Sequence, residues 1–350
     1  MAHGLEPLSM QIITDVRSVH LRRPTALTIG NFDGLHRGHQ ALLLELRRFA
    51  AELAAAGPDD GVEGTAPVAT ALLTFDPHPL AILRPDLDLK LLTTPLERLR
   101  LAGALGIDLG IIQPFTQETA ALEPAEFMGW LKRHINLAAL VVGPDFAMGR
   151  NRAGNPAVLA ALGEQLGYRL RVIEPVDWQG QSVRSNAIRR LIAEGRVEEA
   201  GELLGRPYHV SGVVVAGDRR GHQIGVPTAN LQPPANKLWP ADGVYATRTW
   251  LHDTGAVYNS VTNLGVRPTV DGLHHRLETH LLDFPPAGQD GDLYGQTLTV
   301  EFIRRLRGEQ RFSGLPELVA QIQRDIAAAR SLLAPPDSAQ LPFFLETQPA

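Results

Sequence analysis

The hydrophobic pattern of the first part of the chain alternates between strand-like and helical spacing. Short apolar runs typical of strands occupy residues 26–29, 68–75, 109–112, 139–142 and 169–174. Segments with apolar residues at helical spacing lie between them, beginning at residue 39 and covering 95–105 and 124–134. Strands that alternate with helices predict a doubly wound parallel sheet with right-handed crossovers.

The pattern changes after a helical segment at residues 197–204, which ends at Gly205 and Pro207. The following runs are rich in Val, Tyr and Thr, and they cover residues 208–215, 244–250, 257–264, 277–282 and 297–303. Strands without intervening helices predict a small antiparallel β-barrel. A terminal helix at 317–332 is expected to pack on it through Leu318, Ile322, Ile326 and Ala329. The predicted fold is therefore α/β plus β, with domains at residues 1–205 and 206–350.

Composition narrows the class of protein. A length of 350 residues is enough for two domains, each with its own core. The formal net charge of -5, without a long Lys/Arg block, argues against a nucleic-acid binder. The absence of cysteine excludes disulfides, thiol catalysis and Cys-ligated zinc. No signal-like N-terminus occurs, and no run approaches the roughly 18 apolar residues of a membrane span. We expect a soluble cytoplasmic protein with no nucleic-acid or membrane partner; a homo-oligomer is compatible with the sequence.

Residues 30–39, GNFDGLHRGH, join the first strand to the first helix. A helix that starts after a parallel strand presents free backbone N–H groups and the positive end of its dipole, which favour a phosphate. Gly38 lets the backbone approach a ligand closely, and His36 and His39 can donate hydrogen bonds without a fixed charge. The alternative for two histidines here is a capping or surface role.

This string resembles the HxGH signature of the nucleotidyltransferase superfamily, and its GNFDG part resembles the FMN adenylyltransferase branch. The strings TFDPHP (74–79) and VVGPDFAMG (141–149) are similar to further signatures of that family. The family's SSTxIR motif is RSNAIR at 184–189, where Arg184 and Asn186 depart from it. The alternative for Arg189 is a solvated helix charge. The resemblance implies that ATP and its phosphates lie at Gly30, Asn31, Phe32, Asp33, Gly34, Gly38, Asp145, Ser185 and Arg189.

The second part contains three glycines spaced by four, Gly217, Gly221 and Gly225, with basic residues between them. Their backbone N–H groups could surround a polyphosphate, although Gly-Lys-Ser/Thr of a Walker loop is missing. Thr228 and Asn230 follow, and two residues apart on an extended chain they point the same way. A hydroxyl and an amide oxygen so placed suit Mg²⁺.

The segment GVPTAN (225–230) resembles riboflavin kinase, as do GVYA (243–246), NLGVRPT (263–269), LETHLLDF (277–284) and LRGEQRF (306–312). Val226 stands where the family commonly has Phe, and PTVD (268–271) replaces PTFG. The resemblance implies that Glu278 is the catalytic base, that Thr228 and Asn230 hold Mg²⁺, and that Arg307 and Glu309 contact the flavin.

Taken together, the chain resembles the bacterial bifunctional riboflavin kinases and FAD synthetases. This family implies phosphorylation of riboflavin to FMN by ATP and Mg²⁺, then adenylylation of FMN to FAD with release of pyrophosphate. FMN and FAD would be products and not prosthetic groups. An adenylyltransferase for a pantetheine or nicotinate mononucleotide would leave the PTAN barrel unexplained. A non-catalytic flavin or metal-binding protein using His36, His39 and His78 is the other alternative.

Overall fold

The computed structural model describes residues 10–56, 67–175, 177–178, 180–217, 221, 224–269, 272–285 and 293–335. The chain forms two compact units, of which the first extends to Arg184 and the second begins at Ser185. The first contains a parallel sheet with helices and the second a closed barrel with a terminal helix, so the predicted fold class is confirmed.

The sheet of the first unit has six strands in the order β1-β4-β3-β2-β5-β6. They are β1 (Gln11–Ile13), β2 (Thr25–Ile29), β3 (Ala69–Asp76), β4 (Leu109–Pro114), β5 (Leu137–Val142) and β6 (Arg169–Val172). Every neighbouring pair is parallel. Strand β1 was not predicted, because three residues with one buried side chain are too short to show a period.

The helices of this unit are α1 (Arg37–Ala56), α2 (Pro79–Leu83), α3 (Pro95–Ala104), α4 (Gln117–Ala121), α5 (Pro124–Ile135) and α6 (Pro156–Leu166). Helix α3 starts at a capping box formed by Thr94 and Glu97. A short hairpin of β7 (Asp177–Trp178) and β8 (Gln181–Ser182) ends the unit.

Helices cover both faces of the sheet. Leu43 of α1 and Leu99 of α3 lie in one apolar cluster, whereas Leu131 of α5 and Leu159 of α6 lie in the other. Strand β2 has neighbours β3 and β5 on its two sides, so the chain winds outward from it in both directions. The crevice beyond the carboxyl end of such a strand is where open α/β sheets bind ligands. The loop after β2 lies at this edge.

The second unit is a closed barrel in the order β10-β13-β12-β11-β14-β9. Its elements are α7 (Ser185–Ala193), α8 (Val197–Leu204), β9 (Tyr208–Val215), β10 (Ala229–Gln232), β11 (Gly243–Leu251), β12 (Val257–Thr269), β13 (Gly272–Leu281), β14 (Thr297–Arg307) and α9 (Leu315–Leu332). The expectation of five strands was wrong, because β10 also pairs in the barrel. Its four residues, ANLQ, have little strand propensity of their own.

Hydroxyl groups bond to one another in the barrel interior. Thr247 lies 2.7 Å from Ser260 and 2.8 Å from Thr262, and all three residues are fully buried. Such pairing offsets the cost of burying polar groups. Outside the barrel, α9 packs Ala329 and Ile326 on Ala246. Of the helices in the described segments, none is long and apolar enough to cross a membrane.

Candidate active sites

The HxGH loop, residues 30–39, has a backbone that ordinary residues seldom adopt. Phe32 and Leu35 have positive φ angles of 48° and 38°, and Gly34 has 87°. The ring of Phe32 is 3% exposed and packs in the core with Leu43. The side chain of Phe32 therefore belongs to the core, and only its backbone is available for the predicted contact with phosphate.

Asp33 holds this loop through hydrogen bonds to the protein. Its carboxylate is 1% exposed and accepts hydrogen bonds from the N–H groups of Leu92 (3.1 Å) and Thr93 (2.9 Å). It also faces the guanidinium of Arg98 at 3.3 Å. A buried carboxylate with these donors stabilises the loop, so the expected nucleotide contact near Asp33 is left to the neighbouring backbone.

The two histidines of the loop stack on each other. Their ring centroids are 3.7 Å apart with an angle of 16° between the planes. A Cβ atom at Gly38 would lie 3.3 Å from the His36 ring, so a glycine lets the turn close against it. Burial, followed by the proximity of His36 and Arg98, holds the pKa of His39 well below its usual 6.5. His39 is therefore neutral near pH 7 and can act as a hydrogen-bond donor.

Arg37, between the histidines, lies over the ring of Trp178 at 3.7 Å. The short β7–β8 hairpin thus contacts the start of α1.

Asp145 is exposed in the turn after β5, on the sheet edge where β2 also ends. Ser185 and Arg189 lie in α7 of the second unit, where Arg189 donates to Asn186.

His78 has a local structural role, since its Nδ1 accepts a hydrogen bond of 3.1 Å from the N–H of Leu80 and caps α2. Within the described segments, no group of three or more His, Asp or Glu side chains is arranged to hold a metal ion.

In the barrel, strand register places Glu278 between two amides. Glu278 on β13 is opposite Asn230 on β10 and opposite Asn263 on β12. Residues that face each other across antiparallel strands project to the same side of the sheet. The Glu278 side chain is 31% exposed and lies 3.7 Å from Arg276. A solvent-accessible carboxylate is thus flanked by the amide of the predicted Mg²⁺ site.

Two of the three predicted loop glycines pack against residues of the predicted Mg²⁺ site. A Cβ atom at Gly217 would overlap the Asn230 amide, and one at Gly221 would overlap the Val226 carbonyl and approach the Thr228 hydroxyl to 3.4 Å. Gly225 has a positive φ of 75°. The basic residues between these glycines lie outside the described segments.

The two predicted flavin contacts differ in their surroundings. Glu309 is exposed, and its carboxylate lies directly on Gly265, where a side chain would displace it. Gly265 is two residues from Asn263, so Glu309 approaches the surface that carries Glu278. Arg307 instead pairs with Asp325 of α9 at 2.9 Å, and both side chains are largely buried. Arg307 therefore occupies a supporting position.

Sequence reasoning did not single out Arg98, which pairs with Asp33, or Asn263, which lies opposite Glu278. Asn263 is the first residue of the string NLGVRPT (263–269), and its place on a predicted barrel strand was the signal that could have identified it. Arg98 carried no signal, because an arginine on a helix is normally assigned to solvent.

Fold and site together define a two-domain transferase, with a nucleotidyltransferase-like unit before a kinase barrel. Models of two families match the corresponding parts, FAD synthetase at residues 19–187 and riboflavin kinase at residues 204–333.

Whole-chain relatives combine both parts. The chain is 38% identical to the bifunctional riboflavin kinase/FMN adenylyltransferase of Pseudomonas fluorescens, over 91% of this chain and 98% of the relative. Identity to the Escherichia coli K12 protein of the same name is 37%, over 87% of this chain and 91% of that relative. A crystal structure described as a macrolide-efflux protein from Streptococcus pneumoniae aligns with a TM-score of 0.79 at 28% identity, over 93% of this chain and 100% of that one. The chain belongs to the family of bifunctional riboflavin kinase/FMN adenylyltransferases. It is a transferase with both activities, as the sequence led us to expect.

Proposed function

We propose that the HxGH loop binds the triphosphate of ATP for adenylylation of FMN, and that the barrel face around Glu278 phosphorylates riboflavin. The observation that carries the second assignment is the register that sets Glu278 between Asn230 and Asn263. The first assignment is supported by the loop's place beyond β2, at the switch point of the sheet.

Phosphorylation of riboflavin requires a base, because its nucleophile is a neutral hydroxyl. Glu278 accepts the hydroxyl proton as the new O–P bond to the γ-phosphorus forms and ADP departs. Glu309, beside Gly265, is placed to orient the flavin from the neighbouring segment. The backbone at Gly217, Gly221 and Gly225 binds the phosphates of ATP.

The donor set beside Glu278 fits Mg²⁺. Thr228 and Asn230 offer hard oxygen donors, and the glycines at 217 and 221 let the backbone lie directly against them. When bound there, Mg²⁺ would neutralise charge on the β- and γ-phosphate oxygens.

Adenylylation needs no base, since the phosphate of FMN is already ionised at neutral pH. A phosphate oxygen of FMN forms a bond to the α-phosphorus of ATP, and the bond to pyrophosphate breaks. His36 and His39 donate hydrogen bonds to phosphoryl oxygens, and the N-terminus of α1 adds its positive dipole end. Asp145 orients the nucleotide, and Ser185 and Arg189 are the positions that the family motif assigns to phosphate.

Two variants assayed on both reactions test these assignments. Glu278→Gln should lower riboflavin phosphorylation by roughly 10²–10⁴, the range for general-base catalysis, and leave adenylylation of supplied FMN unchanged. The His36→Ala/His39→Ala variant should do the reverse, with a loss on the order of 10²–10³ in FAD formation. His20→Ala is the matched control, because the ring of His20 contacts His134, which lies outside the loop. Wild-type kinase activity in folded Glu278→Gln, or wild-type FAD synthesis in the histidine variant, would refute the respective site.

A further inference from the structure

We propose that Arg98 is a positioning residue for adenylyl transfer, which fixes the HxGH loop through Asp33, Thr93 and Thr74. This inference rests on the proposed phosphate-binding role of that loop. Arg98 lies on α3 and its side chain is 1% exposed. Among the described contacts, Asp33 and Thr74 are the residues of the signature strings that it touches.

The guanidinium of Arg98 distributes its donors over three neighbours. One terminal nitrogen donates to the Thr93 carbonyl at 2.8 Å and faces Asp33 at 3.3 Å. The other terminal nitrogen donates to the Thr74 hydroxyl at 3.1 Å, and Nε donates to the Thr93 hydroxyl at 3.2 Å. A planar fork of donors suits this arrangement, which a single ammonium group cannot reproduce.

The residues that Arg98 contacts are themselves hydrogen-bonded to the loop. The Thr74 hydroxyl donates to the carbonyl of Asn31 at 3.0 Å. The Thr93 hydroxyl accepts from the N–H of Gly34 at 2.8 Å and donates to Asp33 at 3.1 Å. Three of the five predicted phosphate contacts at 30–34, namely those at 31, 33 and 34, are thus held from one buried cation.

This restraint matters because of the unusual loop backbone. The positive φ angles at Phe32 and Leu35 persist only where the surrounding structure determines them. A loop aimed at a triphosphate acts by preorganisation, and a misplacement of about 1 Å can cost on the order of 10² in rate. Arg98 therefore contributes to catalysis by fixing the geometry of the loop. Its own side chain is not one of the proposed ligand contacts.

Four variants of the full-length protein test the inference. Arg98→Met removes every donor, and Arg98→Lys keeps the charge without the fork. Asp33→Asn and Asp33→Asn/Arg98→Met complete a double-mutant cycle, whose last member has no unpaired buried charge. Arg100→Met is the matched control, since Arg100 lies on the same helix and has no hydrogen bond to the loop among the described residues.

We expect Arg98→Met to raise KM for ATP and lower kcat, with a combined loss of about 10–100-fold in kcat/KM for FMN adenylylation. A variant that is only less stable would instead lose active molecules at unchanged KM. Arg98→Lys should recover part of the loss, and Arg100→Met, which removes no hydrogen bond to the loop among the described residues, should stay within about twofold. Riboflavin phosphorylation, assayed on the same samples, should be unchanged. The double variant should lose less than the product of the two single losses.

Wild-type kcat and KM for ATP in Arg98→Met would overturn the inference, as would single losses that multiply in the double variant. If Arg98→Met does not fold, kcat and KM for ATP are measured for Arg98→Lys and for the charge-neutral double variant, and wild-type values in both would overturn the inference. The proposed function is tested separately: FAD synthesis that survives His36→Ala/His39→Ala refutes the loop assignment itself, whatever the Arg98 variants show.

Discussion

His209 is a buried imidazole at the first barrel strand, with 1% of its surface exposed. Burial, followed by the nearby charge of Lys237 and Arg206, holds its pKa well below the usual 6.5. His39 in the other compact unit has the same direction of shift for the same leading cause. In each case the folded protein keeps the ring neutral, whereas the unfolded chain takes up a proton when the pH falls below about 6.5.

Stability should therefore decrease on acidification. Between the unfolded pKa near 6.5 and the lower folded pKa, the unfolded state binds more protons, so the free energy of unfolding falls by up to about 1.4 kcal/mol per pH unit for each such histidine. Urea unfolding followed by circular dichroism at pH 7.5, 6.5 and 5.5 measures this slope. His209→Gln should reduce it. An unchanged slope in His209→Gln would contradict the prediction.

At the scale of elements, α9 holds the segment that connects it to β14. Arg307 at the end of β14 donates to both oxygens of Asp325, and Gln321 donates to the same carboxylate at 2.8 Å. The Arg307 guanidinium also lies over Phe312 at 5.7 Å. The segment between Arg307 and Phe312 carries Glu309. The terminal helix thus fixes the position of a proposed flavin contact.

Asp325→Asn should raise KM for riboflavin by about tenfold, because a charge-assisted pair of roughly 1.5–3 kcal/mol is lost beside the flavin segment. Adenylylation of FMN should not change. Arg330→Gln is the matched control, since Arg330 lies on the same helix as Asp325 and its pair with Asp283 is exposed. Steady-state kinetics with riboflavin as the varied substrate give the answer, and equal KM values for the two variants would refute the role of Asp325.

At the scale of the molecule, the compact units divide after Arg184, before the junction expected near residue 205. Helix α8 packs on β9 and β14, and Glu198 pairs with Arg304 at 2.6 Å. The N–H of Ala241 donates to the Ile192 carbonyl at 3.2 Å, which joins α7 to the barrel side. The helices before residue 205 therefore complete the second unit.

A fragment of residues 185–350 should phosphorylate riboflavin and form no FAD. A fragment of residues 206–350 lacks α7 and α8, exposes apolar surface that they cover, and should melt at a lower temperature or be recovered in smaller amounts. Thermal melts and kinase assays of both fragments measure the difference. A folded 185–350 fragment without kinase activity, or equal melting temperatures, would count against this division.

The sequence by itself predicted most of the longer elements and, through its resemblance to a known family, both activities. The alternation of strand and helix periods identified the parallel sheet, and a Val- and Thr-rich pattern identified the barrel. These features are local: a period, a turn residue or an N-terminal motif is visible within a dozen residues. The prediction that Thr228 and Asn230 point the same way is equally local, because it depends only on two-residue spacing along an extended chain.

Only the tertiary structure decided which distant residues meet. Glu278 lies between Asn230 and Asn263 because of strand register, which depends on packing summed over the whole barrel. Arg307 pairs with Asp325 and Arg98 is buried beside Asp33, although both arginines have the sequence character of surface residues. Burial of a charge becomes favourable only when several elements supply its partners, and no local pattern records that coincidence. The short strand β10 likewise exists because its neighbours β9 and β13 pair with it.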